Sequence, residues 1–153
     1  MNLYTTNPIT LRDMARKFEF YGDDNNAIKY SLKAIEYGNP LSCIDMCYQI
    51  DYKRIGYEYD ELSSNALNAS NYIIYIDKGI DMGSLDCMFF KARKQYQGDG
   101  YIKQDLSAAL KAFKHLRECN YNPEILFNDG WTLDDYIRRI TRIIAINKRK
   151  ERF

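Results

Sequence analysis

Apolar side chains three and four positions apart recur along most of the chain, and short runs of Gly, Asp and Asn interrupt them. That spacing puts the apolar residues on one face of a helix. The clearest stretch runs from Gly83 to Asn120. Gly83 can take the left-handed backbone that closes a preceding helix, and Ser84 can cap the next one. Leu85, Met88, Phe89, Ala92 and Tyr96 then fall on one face. Gln97-Gly98-Asp99-Gly100 ends that helix, since two glycines supply backbone angles that a β-carbon resists. Asp105 is the expected N-cap of a second helix, whose apolar face is Leu106, Ala109, Leu110, Phe113 and Leu116. Ala92, Ala108, Ala109 and Ala112 are small enough to let two helix backbones approach. The stretch predicts an antiparallel helical hairpin.

Weaker versions of this pattern fill the rest of the chain. Thr10 with Asp13 reads as a capping box, followed by a stripe of Leu11, Met14, Ala15, Phe18 and Tyr21. Gly22-Asp23-Asp24-Asn25 is a turn. Ala27, Ile28, Leu32, Ala34 and Ile35 mark a second helix that Gly38 closes. Asn39-Pro40 opens a third, with proline where a missing N–H costs least; its apolar residues are Leu41, Ile44, Met46, Cys47 and Tyr48. The pattern loosens over residues 51–64, and a helix is expected again from Ala66 to Gly83. Near the C-terminus, Asn128-Asp129-Gly130 is a turn and Thr132 with Asp135 a second capping box. Leu133, Tyr136, Ile137, Ile140, Ile143 and Ile144 then give a terminal amphipathic helix. The predicted fold is all-α.

The hairpin resembles the Sel1-like repeat, a relative of the tetratricopeptide repeat, through Ala92, Tyr96, Gly98, Gly100, Asp105, Ala109 and Phe113. Tyr30 to Asn39, YSLKAIEYGN, is similar to the closing half of the same repeat. The close of the main hairpin departs from the family, with Arg117-Glu118-Cys119-Asn120 in place of an alanine-rich, glycine-terminated end. The resemblance implies one domain over residues 1–153, a short α-solenoid of antiparallel hairpins. Its units would be 11–39, 40–83 and 84–120, with 121–153 as a cap that hides the last hydrophobic edge. Gly38 and Gly83 are equivalent closing glycines 45 positions apart, longer than the family's period of about 35. The middle unit therefore carries an insertion, placed at residues 52–59. A loop of that kind in a compact repeat protein is either functional or a decayed turn.

Composition narrows the function classes. The 153 residues, 46% hydrophobic and 28% charged, suffice for a buried core. No apolar run approaches the length of a membrane span, and Met1-Asn2-Leu3-Tyr4 begins no basic-then-apolar leader, so a cytoplasmic location is expected. Net charge is only +1. Residues 138–152 nevertheless hold seven basic residues (Arg138, Arg139, Arg142, Lys148, Arg149, Lys150, Arg152) against Glu151, a net of +6. This is either a patch for nucleic acid or an acidic partner, or a solvated helix end whose cations suit the helix dipole. The solvated reading is favoured, because no aromatic residue is interleaved with these cations as single-strand binders require.

Cys43 and Cys47 lie one helical turn apart, as do His115 and Cys119, and Cys87 stands alone. Core thiols, disulfides and a Cys₃His metal site all remain open, with core thiols favoured and no cofactor or metal expected. His115, the only histidine, is expected to be a partly exposed structural residue. No nucleophile elbow, metalloprotease helix or phosphate-binding glycine loop occurs, so catalysis is not expected. Fourteen tyrosines and seven phenylalanines fit either a protein interface or amphipathic core edges.

In repeats of the resembled family, the first helix of each hairpin lines the concave surface. That implies contact residues at Arg12, Arg16, Glu19, Asp45, Tyr48 and Gln49, continued by Lys91, Lys94 and Gln95. Such a mixed-charge face suits a folded protein or peptide. The expected function is a dedicated one-to-one binder, such as an immunity protein of the kind bacteria use, or an inhibitor of a toxin or enzyme. A general adaptor scaffold, or nucleic-acid binding through the basic helix, is the alternative.

Overall fold

A computed structural model describes residues 4–98, 100–127 and 129–152. Met1 to Leu3 of the opening segment, Asp99 of the Gly98–Gly100 turn and Asn128 of the 128–130 turn lie outside the described residues. The described residues are helical and contain no strand. In chain order the helices are α1 (Pro8–Phe20), α2 (Asp24–Glu36), α3 (Leu41–Asp51), α4 (Glu61–Ala66) and α5 (Asn71–Asp81), then α6 (Leu85–Gln97), α7 (Leu106–Glu118) and α8 (Leu133–Lys150). A short 3-10 turn covers Pro123–Ile125. The chain divides into two compact units, residues 1–87 and 88–153, with the boundary inside α6.

In the first unit α1 and α2 form an antiparallel hairpin. Phe18 stacks on Tyr30 at 5.4 Å between ring centroids, and Leu11, Met14 and Ala15 pack against Tyr30 and Ala34. The helix starts earlier than its capping-box reading. Asn7, and not Thr10, is the N-cap, with its side chain accepting from the N–H groups of Ile9 and Thr10 and Pro8 at the first helical position. Thr10 therefore lies inside the first turn, and Tyr21, past the end of the stripe, is exposed. Gly38 (φ 97°) and Gly83 (φ 86°) close α2 and α5 identically. In each, the glycine N–H bonds back three residues and the next N–H bonds back five.

The helix expected from Ala66 to Gly83 is two elements. α4 stops at Ala66, a turn follows, and α5 begins at Asn71. Asn68 makes that turn: its side chain accepts from the N–H and hydroxyl of Ser70, the local competition that draws Asn out of helices. α5 runs antiparallel to α3, where Cys47 donates its thiol to the Tyr72 carbonyl and the Tyr72 hydroxyl donates to Asp51. A β-carbon placed on Gly79 would meet Cys87 Sγ at 2.3 Å and Cys43 Cβ at 3.3 Å. Gly79 is thus the point where backbone packs directly on two buried thiols.

The second unit is held by aromatic rings. Phe113 on α7 stacks on Tyr136 of α8 at 4.6 Å, and Phe89 of α6 touches Phe113, Tyr121, Phe127 and Tyr136. Such pairs contribute about 0.5–1.5 kcal/mol each beyond the area they bury. Arg93 lies over the rings of Phe127 and Phe89 and reaches Asp129 at 3.5 Å, and Asp129 accepts from the Tyr136 hydroxyl. Asp105 caps α7 and Thr132–Asp135 forms a full capping box on α8, as their spacing predicts. Asn120 closes α7 with φ 55°, doing with a side chain what glycine does at Gly38 and Gly83.

Candidate functional site

The stretch 52–60 is a loop, and it is pinned. Arg54 is the centre of the attachment. Its Nε donates to Asp24 at 2.8 Å, its Nη2 donates to the Gly22 carbonyl at 2.7 Å, and its guanidinium lies over the Tyr57 ring at 4.3 Å. The Tyr57 hydroxyl accepts from the Asp24 N–H, Asn25 donates to the Glu58 carbonyl, and the Asp60 N–H donates back to Asn25. The loop is therefore fastened to the turn between α1 and α2. Asp24, buried at the start of α2, has its charge matched by Arg54, and the Arg54 pKa rises above its ordinary value through that hydrogen bond.

A cleft of about 370 Å³ opens beside this attachment, lined by Glu19, Phe20, Gly22, Asp24, Tyr48, Gln49, Tyr52 and Arg54. Its rim is aromatic. Tyr48 stacks on Tyr52 at 6.2 Å and Phe20 meets Tyr21 edge-on at 5.3 Å. Phe20 is 83% and Tyr52 75% exposed, and Ile55 on the loop is fully exposed. Large exposed apolar groups clustered around a cleft are uncommon on a surface that touches only water.

Next to the cleft, α1 is tied to α3. Arg12 Nε and Nη2 donate to the two Asp45 carboxylate oxygens at 2.7 and 3.1 Å. Both side chains are about four-fifths buried, at 17% and 20% exposure. Asp45 raises the Arg12 pKa, first by this hydrogen bond. The Glu19 carboxylate makes no ion pair or hydrogen bond among the described residues. Partial desolvation first, and then the Asp45 and Asp24 charges, push its pKa above the usual carboxylate range, while Arg16 pulls it down.

The expected contact residues are thus partly reunited. Glu19, Tyr48 and Gln49 line the cleft, and Arg16 is exposed one turn away on α1. Arg12 and Asp45 belong to the same face but satisfy each other. Lys91, Lys94 and Gln95 sit half-buried on α6 in the second unit, with Lys94 over the Phe90 ring at 5.6 Å. Phe20, Arg54 and Asp24 carry the site without having been singled out. Phe20 breaks the three-and-four spacing of α1, which was the one signal available for it. The insertion and the helix face, two separate expectations from the sequence, line a single cleft.

The second unit holds the basic helix. Arg138, Arg139 and Arg142 border a hollow of about 310 Å³ together with Gly130, Trp131 and Asp135. Arg139 lies over the Trp131 ring at 5.6 Å, and Arg138 pairs with Asp135 at 3.7 Å. Lys148 and Arg149 are exposed in the last turns of α8. No aromatic is interleaved with these cations in the sequence, yet the turn before α8 sets one against them. Cys43, Cys47 and Cys87 are buried free thiols, and burial pushes Cys43 up to about 12 and Cys87 to about 11. Cys119 is exposed, 3.6 Å from His115 Nε2. Among the described residues no group of three or more His, Cys, Asp and Glu could hold a metal ion, and no helix is long and apolar enough to cross a membrane. No family model, curated protein or solved structure gives a significant match to the chain.

Proposed function

We propose that the chain is a non-catalytic, cytoplasmic protein-binding module whose contact surface is the cleft between α1, α3 and the 52–60 loop. The observation that carries this reading is the exposed Phe20, Tyr21 and Tyr52, the last stacked on half-buried Tyr48, beside a cleft already cross-linked by Arg54 and Asp24. Tyrosine, large aromatics and arginine dominate binding hot spots, and a contact surface fixed before binding loses little entropy on association. The hairpins α1–α2 and α6–α7 are read as Sel1-like repeats, and α8 as the cap of a short solenoid. The reading is of a dedicated one-to-one binder, such as an immunity protein or inhibitor of a toxin or enzyme, with a general adaptor scaffold as the alternative.

The test is a tagged pull-down from the source cells with nuclease added, comparing the native chain with Phe20→Ala/Tyr52→Ala. One protein held in equal amount by the native chain and lost by the variant is the expected result. Equal retention by both would move the contact surface elsewhere on the chain.

A further inference from the structure

Viewed down α8, Arg138, Arg142 and Arg149 lie within about 40° of one another, and Arg139, Ile146 and Lys150 form the neighbouring row. From Arg138 to Arg149 the helix rises about 16 Å, and from Ala145 onward every described residue is exposed. The cations are weakly engaged. Arg138 has only the 3.7 Å contact with Asp135, Arg139 rests on Trp131, and Arg142 has no ion pair among the described residues. Where the rows begin, Trp131 stands half-buried at the hollow of about 310 Å³, its ring braced by Tyr136 at 5.1 Å and Tyr96 at 6.5 Å.

We propose that this face binds single-stranded nucleic acid, with phosphates along the arginine rows and one base stacked on Trp131 in the hollow. Two features select that ligand. A net charge of +6 over residues 138–152 complements a phosphate backbone, and a braced aromatic at the edge of the cations is the platform that unstacked bases use. An acidic peptide would use the charges but not the ring. A duplex presents no free base face. The site shares no residue with the cleft of the first unit and stands or falls separately from it.

Trp131 is the only tryptophan in the chain, so its emission reads the site directly. Titration of the full chain with an oligothymidylate should quench that emission saturably. The slope of log K against log salt should be about −2 to −3.5, for three to five phosphates contacted. Arg138→Gln/Arg142→Gln, both exposed and remote from the core, should make the slope shallower by about 1.4. Trp131→Phe, read by anisotropy of a labelled oligothymidylate, should keep binding, and Trp131→Ala should weaken it roughly tenfold. The proposal is overturned if Trp131 emission is unmoved by the oligonucleotide. It is equally overturned if poly-glutamate quenches as well as oligothymidylate, or if duplex binds as tightly as single strand.

Discussion

The two units use the same kinds of residue for opposite purposes. The first holds ten of the fourteen tyrosines, but packs its hairpins around Leu11, Met14, Ala34, Met46 and buried thiols, leaving Tyr21, Tyr52 and Phe20 in water. The second has four tyrosines and, Tyr101 apart, gathers them with its buried phenylalanines into one ring cluster from Phe89 to Tyr136, leaving cations outside. Aromatic abundance in a sequence therefore says little until each ring is located. In the second unit the rings hold the fold together. In the first, Tyr30 and Tyr72 join the core while Phe20, Tyr21 and Tyr52 stay outside it, and exposed aromatics around a cleft are what a partner would cover.

If the aromatic stack carries the second unit, Phe113→Ala should be the most damaging change, costing about 3–5 kcal/mol in urea unfolding. A loss below about 1 kcal/mol would show that the stack is not what holds the unit. In the first unit the matching weak point is Gly79. Gly79→Ala should cost about 1–3 kcal/mol by forcing a methyl against Cys87 Sγ. Adding Cys87→Ala should recover part of that loss, a non-additivity that calorimetry on the single and double variants would measure.

Arg54→Ala acts on the loop rather than the core. It should raise amide exchange through residues 53–60, where Asp60 N–H is held by Asn25, while exchange in α7 and α8 stays as it was. Unchanged protection in the loop would mean that the Asp24–Arg54 pair is not its anchor. Glu19 gives a still smaller effect with a defined sign. Its folded pKa is raised, so the folded state binds the proton more tightly than the unfolded chain does. The resulting stabilisation is complete below the ordinary carboxylate pKa and is lost as pH rises through the folded value. Glu19→Gln should flatten that part of the pH–stability curve, and a steeper curve would contradict the assignment. Finally, alkylation of the native chain should label Cys119 and spare Cys43, Cys47 and Cys87.

Much of the helical frame was legible because it rests on local chemistry. Asp105, Thr132 with Asp135, Ser84, Gly38 and Gly83 all cap or close helices where their spacing places them. Errors came where two local signals competed. Thr10–Asp13 has the capping-box spacing, but Asn7-Pro8 lies upstream and starts the helix first. Asn68 and Ser70 cut the expected 66–83 helix with side-chain hydrogen bonds that periodicity does not register. The site was legible in pieces. Glu19, Tyr48 and Gln49 follow from helix-face position, whereas the Arg54–Asp24 attachment joins residues 30 apart and leaves no mark on either segment alone. Trp131 was hidden in the same way, since the turn and cap before α8 bring it to arginines seven to eleven positions away.

The most direct test of the cleft as a contact surface is an amide-exchange footprint of the chain with and without the protein it retains. Protection should concentrate at residues 19–25 and 48–60, with α8 exchanging as it does alone. Protection confined to α6 or α8, with the cleft unchanged, would contradict it.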